Sequence, residues 1–215
     1  MTGDLTIWTF DRVPPGPVGH VRDIRLRWAA EEAELPYAIA TVPFDERGPE
    51  HLARQPFGQV PFLEDGGTCL FESGACLLHL AEKTPLLMPR DSAGRAETLQ
   101  WLFAALNSLE MVSVPWWFIG LARPEENPLD GWLKQRLARL EAGLGTREWL
   151  AAGQFTIADI VMADALRLPA KLGALAPHAA LTAYVGRACA RPAFRKALAD
   201  QQAHFAAGDA PPAGG

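Results

Sequence analysis

Hydrophobic positions change their period partway along the chain. In Leu5-Thr6-Ile7-Trp8-Thr9-Phe10 they alternate with polar ones and are β-rich, which predicts a buried strand. Asp11–His20 follows, and its Pro14, Pro15, Gly16, Pro17 and Gly19 exclude regular structure. Ile24, Trp28 and Ala29 then share one helical face with arginines on the other, so a helix is expected over about 21–34, ended by Pro36. Tyr37–Val42 reads as a second strand, followed by a short irregular helix. Val60-Pro61-Phe62-Leu63-Glu64 and Thr68-Cys69-Leu70-Phe71 are short apolar runs that Gly66-Gly67 joins as a hairpin. Pro61 has no ladder donor and belongs at a strand head or edge. It also suits a cis bond that turns the backbone outward and frees Val60 to pair with an extended ligand. A helix opens at Glu72-Ser73 and buries the run from Ala75 to Ala81.

The segment 84–91, with Pro85 and Pro89, reads as a linker; beyond it the strand signal vanishes. A long helix is expected over 93–119, kinked by Pro115. Another covers 129–144, with Trp132, Leu133, Leu137 and Leu140 on its buried side. Thr156-Ile157-Ala158-Asp159 fits a capping box opening a helix that runs to about Leu168 and is buried on several faces. Shorter helices are expected over 179–190 and 193–203, and the Gly/Ala/Pro-rich stretch 206–215 reads as a flexible tail. The division is therefore an N-terminal domain over 1–83, a linker, a helical domain over 92–205 and the tail.

Glu72-Ser73 puts a carboxylate, a hydroxyl and free N–H groups at one helix N-terminus, which favours a bound carboxylate, while Glu72 is placed to take an ammonium group. Either this pair grips an amino-acid zwitterion or it merely caps the helix. Gln59-Val60-Pro61, the hairpin and Glu-Ser opening a helix resemble the N-terminal half of the cytosolic glutathione transferases. Arg25-Leu26-Arg27-Trp28-Ala29, with Leu35-Pro36-Tyr37 after it, is similar to that family's first helix and following strand, and Phe155-Thr156-Ile157-Ala158-Asp159 resembles the motif nucleating its central helix. The resemblance covers about Leu5 to Ala203. It implies an α/β thioredoxin-like domain followed by an all-α helical bundle. It also implies that Gln59, Val60, Pro61, Glu72 and Ser73 contact glutathione as co-substrate, that a hydrophobic electrophile binds against the first long helices of the second half (Asn107 and Trp116 being the candidates), and that the protein is a homodimer with Phe57 near the interface.

Composition narrows the alternatives. A net charge of −5 and a pI of about 5.5 argue against nucleic-acid or anionic-membrane partners. The longest apolar run is shorter than the ~20 residues of a membrane span. No charged-then-apolar leader opens the chain, and Cys69, Cys76 and Cys189 lack metal-ligand spacing, so free thiols in the cytoplasm and no metal are expected.

The chemistry turns on a thiol, whose pKa of about 8.5 leaves little thiolate at neutral pH; lowering it by about 2 units takes ~2.7 kcal/mol. In the family the donor is a Tyr near the end of the first strand, or a Ser or Cys at the start of the first helix. Here Tyr37 and Tyr184 lie elsewhere, and no Ser or Cys precedes Cys69. Thr9, Arg12, His20 and Arg22 remain as candidate activating groups, each with an ordinary alternative as a strand or loop residue. Conjugation of glutathione to a hydrophobic electrophile is the expected reaction. Glutathione-dependent peroxide or thiol–disulfide chemistry is the alternative, as is a non-catalytic binding module.

Overall fold

The computed structural model describes residues 5–123 and 126–208. The chain forms two compact units, one taking the chain up to Lys83 and again from Pro192 onward, the other Thr84–Arg191.

In the first unit β1 (Thr6–Phe10), β2 (Ala38–Val42), β3 (Phe62–Asp65) and β4 (Thr68–Phe71) form one sheet in the order β2-β1-β3-β4. β1 and β2 are parallel, which requires a crossover, and α1 (Asp23–Glu32) provides it. β3 runs antiparallel to β1 and pairs with β4 across Gly66-Gly67, both at positive φ, as a two-residue hairpin turn demands. α2 (Pro49–Arg54) precedes β3 and α3 (Ser73–Glu82) follows β4. Strand alternation works as the sequence predicts: Ile7 and Thr9 are fully buried while Trp8 and Phe10 are half-buried.

The helix α1 differs from its expected amphipathic form. Every residue from Asp23 to Ala30 is buried, including Arg25 and Arg27, which the helical pattern assigns to an outer face. The cause is α9 (Pro192–Gly208), which packs on α1 and covers that face. Phe194 meets Trp28 edge-on at 4.7 Å, and Gln201 donates to the Asp23 carboxylate and the Val21 carbonyl. Asp23 in turn holds Arg27 at 2.7 Å. The last helix thus folds with the N-terminal unit rather than with 92–191, and helical structure continues through Ala206–Gly208, part of the expected tail; the rest of that tail lies outside the described residues.

The second unit is helical. α4 (Ser92–Ala104) passes into a π-helical stretch, Ala105–Glu110, and then into α5 (Met111–Ala122). Regular bonding is thus interrupted upstream of Pro115, which sits inside α5. The wider π turn rephases the helix, so that Thr98, Leu102, Ala105, Leu109 and Val112 all remain buried. The 31 residues Ser92–Ala122 are long and apolar enough, by length and composition, to cross a membrane although no uninterrupted apolar run among them is that long; here they pack against the other helices of the unit. α6 (Asp130–Leu144) buries Leu133, Leu137, Leu140 and Leu144, whereas Trp132 is 40% exposed and lies off the predicted stripe.

At the centre is α7 (Ile157–Lys171), which contacts α4, α5, the π stretch and α8 (Ala179–Cys189). Its capping box forms as the sequence predicts. The buried Asp159 carboxylate accepts from the Thr156 amide (2.9 Å), the Leu150 amide (3.0 Å) and the Tyr184 hydroxyl (2.9 Å). Burial pushes its pKa up, and those donors oppose the shift.

Asp159→Ala would leave these buried donors without an acceptor and is expected to cost about 3–5 kcal/mol, read by urea unfolding. In the first unit Lys83 (2.5 Å) and His79 (2.6 Å) hold the Asp65 carboxyl below its ordinary value. A depressed carboxyl contributes stability that is complete above its unfolded value and lost as pH falls through the folded one. Asp65→Asn should therefore flatten the acid limb of the stability profile below about pH 4 and cost about 1 kcal/mol at neutral pH, measured by melts across pH.

Candidate functional site

The hairpin brings two sequence-distant pieces to one end of the sheet. Its last pair is Phe62↔Phe71, so Val60-Pro61 and Glu72-Ser73 leave the ladder side by side. Trp8↔Phe62 places the C-terminal end of β1, and the loop that follows it, toward the same end. The Val60–Pro61 bond is cis, and both residues lie outside β3, which begins at Phe62.

The segment before the cis bond is held from α2 and from the loop ahead of it. His51, buried, donates from Nε2 to the Gln59 carbonyl at 2.9 Å, and Arg47 donates from Nε to the Gly58 carbonyl at 2.7 Å. His51 stacks on Phe62 at 5.6 Å, and Phe62 stacks on Trp8 at 5.2 Å. Gln59 itself is exposed and Val60 half-exposed, so the backbone offered there is accessible as well as fixed.

Glu72 adopts φ 71° and ψ 119°, a conformation that a non-glycine residue takes at a cost of about 1–3 kcal/mol. Its side chain is exposed and caps nothing in α3. Ser73 is buried, and its hydroxyl accepts from Arg25 Nη1 at 3.2 Å. Beneath the first turn of α3, whose N–H groups and dipole favour an anion, there is therefore a buried guanidinium; an exposed carboxylate stands beside it. Acidic and basic groups arranged in this way match the two ends of an amino-acid zwitterion.

The other sequence candidates are placed differently. The Thr9 hydroxyl, one residue beyond the last β1–β3 pair, is fully buried on the core face of β1 without a hydrogen-bond partner. Arg12 pairs with Asp45 on the surface. His20 and Arg22 lie in the loop entering α1, half-buried and engaged with neighbours. In the helical unit, Asn107 is exposed on the π stretch, and Trp116 donates its indole N–H to Asp130 at 2.7 Å, tying α5 to the start of α6. The sequence reading missed Arg25, His51 and Arg47. Nothing marks His51 along the chain, and Arg25 is hidden among arginines that the helical pattern assigns to solvent.

The chain's own thiols are poor nucleophiles. Burial pushes Cys76 up to about 12 and Cys189 up to about 11, and it raises Cys69 as well. Cys76 donates to the Leu70 carbonyl at 3.3 Å, a packing role. Among the described residues no group of His, Cys, Asp and Glu is placed to hold a metal ion.

Comparison with known proteins agrees with this geometry. Residues 16–82 match the family described as glutathione S-transferase, N-terminal domain, and residues 123–192 match glutathione S-transferase, C-terminal domain. The chain is similar to the disulfide-bond oxidoreductase YfcG of Escherichia coli, 35% identical over 161 residues that cover 68% of this chain and 73% of that one. It is also similar to glutathione S-transferase F11 of Arabidopsis thaliana, 30% identical over 78% of this chain and 87% of that protein. Among solved structures, a glutathione transferase family member from Pseudomonas fluorescens with two glutathione bound superposes with a TM-score of 0.78 at 27% identity, over 90% of this chain and 92% of that one. With both halves matched in order on this fold, the chain belongs to the glutathione S-transferase family.

Proposed function

We propose that the protein binds glutathione at the open end of the sheet and transfers its sulfur, as thiolate, to an electrophilic carbon of a hydrophobic substrate. The observation carrying this reading is the strained Glu72 seated beside Ser73, whose hydroxyl rests on the buried Arg25. The γ-glutamyl carboxylate meets Ser73 and the first amides of α3, its ammonium meets Glu72, and the cysteinyl backbone pairs with Val60 ahead of Pro61. The raised pKa values of all three cysteines support a ligand sulfur as nucleophile, rather than one of the chain's own.

Thiolate stabilisation in this reading is electrostatic. The Thr9 hydroxyl is fully buried, so helix N-termini and the basic residues of the loop entering α1, His20 and Arg22, are the proposed source. Asn107 and Trp116 are proposed for the electrophile wall. A second reading, glutathione-driven reduction of disulfides, is favoured by the similarity to a disulfide-bond oxidoreductase. It uses the same glutathione subsite. A cytoplasmic setting fits the free cysteines in either case.

Ser73→Ala and Glu72→Gln are each expected to weaken glutathione binding about tenfold by calorimetry, while Thr9→Val leaves binding and turnover unchanged. Binding unaltered in both site variants would contradict the assignment. Product analysis separates the reactions: an aryl halide yields the thioether under conjugation, whereas a mixed disulfide is consumed under the second reading. We also propose a homodimer, because Phe57 is 70% exposed and stands 6.5 Å from the exposed Phe71. Phe57→Ser should shift sedimentation toward monomer; an unchanged sedimentation coefficient would place the interface elsewhere.

A further inference from the structure

The loop Asp11–Arg22 carries both basic residues named above as the source of thiolate stabilisation, His20 and Arg22. Its composition gives it little means of holding one shape. Pro14, Pro15 and Pro17 have no N–H to donate. Its internal backbone bonds are turn closures, from Val18 to Pro15 at 3.3 Å and from His20 to Pro17 at 2.8 Å. A segment bonded in this way is fixed by what it leans on.

The last helix, α9, supplies that support, and the two belong to one compact unit. Residues 201, 204 and 208 are spaced three and four apart and so share one face of the helix. At the far end of the loop Gln201, fully buried, donates from Nε2 to the Val21 carbonyl at 2.9 Å and to the Asp23 carboxylate. At the near end His204 donates from Nε2 to the Phe10 carbonyl at 2.9 Å. One turn further, Gly208 lies so close to Asp11 that a Cβ would overlap the Asp11 carbonyl oxygen, and that Cβ would also meet the Arg12 Cβ at 3.6 Å. Asp11 is held from its other side as well. Its amide donates to the Val42 carbonyl at 3.0 Å, and its carboxylate accepts from the Phe44 amide at 2.9 Å.

The apolar stripe that docks α9 is a separate set, Phe194, Ala197 and Phe205. His204 is half-buried and Gly208 is exposed. What these two contribute is a directed hydrogen bond and a close approach rather than buried apolar area.

We infer that His204, with Gly208 beside it, is a positioning residue: it fixes the start of the Asp11–Arg22 loop while Gln201 fixes its end, and so places His20 and Arg22 toward the sulfur of bound glutathione. His204 acts through the loop and touches no ligand. The effect on sulfur rests on the glutathione reading above, whereas the hold on the loop does not.

The test compares two variants of the full-length protein. His204→Phe keeps a ring and loses the donor; His204→Gln offers an amide nitrogen in place of Nε2. Hydrogen–deuterium exchange reads the hold itself: amides over residues 12–22 should exchange about tenfold faster in His204→Phe and at the wild-type rate in His204→Gln. Ultraviolet titration of bound glutathione reads the consequence. The thiolate midpoint should rise by about 1 pH unit in His204→Phe and return in His204→Gln, which has no charge of its own to lend. Affinity for S-methylglutathione, which has no thiol to ionise, should be the same in all three proteins. If melting shows His204→Phe unfolded, Gly208→Ala decides: by helix propensity alone alanine firms the helix end, so faster exchange over 12–22 reports the lost approach to Asp11. Loop exchange or a thiolate midpoint unmoved by His204→Phe, or moved equally by His204→Gln, would overturn the inference. Glutathione that does not bind the wild-type protein, or binds with its free midpoint, would instead overturn the proposed function and the role toward sulfur with it, and exchange alone would then decide whether α9 holds the loop.

Discussion

The turn from β4 into α3 is the constraint on which the candidate site depends. Glu72 must hold a positive φ for the chain to leave the sheet and start a helix at once. The strain is tolerated because the residues beside it are fixed: Phe71 is paired in the hairpin, and Ser73 is buried against Arg25. Arg25 is in turn fixed by an α1 that α9 and α3 enclose. The exposed carboxylate and the helix N-terminus are thereby presented at a set angle, and under our reading that preorganisation is what allows a flexible tripeptide to be held at modest entropic cost.

On the opposite side of the same end, rigidity is built by stacking and hydrogen bonds to backbone. His51, Phe62 and Trp8 form a continuous stack, and His51 fixes the Gln59 carbonyl. The backbone at Val60 is therefore positioned by groups that make no use of its own side chain. This explains why the residue identity at 60 says little about the site, while its place before Pro61 says much.

Local pattern made most of the fold legible. Alternation in 5–10, Gly66-Gly67 between apolar runs, and Thr156-x-x-Asp159 each express a mechanism confined to a few residues, and each appears in the structure. What the sequence hid depends on distant chain. Arg25 and Arg27 read as a solvent face because α9, more than 160 residues later, is what covers them. Trp132 reads as core because it neighbours Leu133, and the actual stripe steps from 133 to 137, 140 and 144. The π stretch has no sequence signature comparable to that of Pro115, which drew the expected kink to itself. For the site, Glu72-Ser73 and Val60-Pro61 were readable as motifs, whereas Arg25, His51 and Arg47 act through partners that only the folded chain supplies.

The thiol-activating group is the point where motif reading and geometry meet. Of the hydroxyls near the open end of the sheet, that of Thr9 is buried on the core face of β1 and that of Ser73 rests on Arg25. The chain's cysteines are held protonated by burial. If the protein acts on sulfur, the field of helix ends and basic side chains has to lower the pKa of the bound ligand's thiol. Ultraviolet titration of the thiolate in the glutathione complex measures this directly. Our account predicts a midpoint about 2 units below that of free glutathione. A midpoint equal to that of the free tripeptide would contradict it and leave a protein that binds glutathione without activating it.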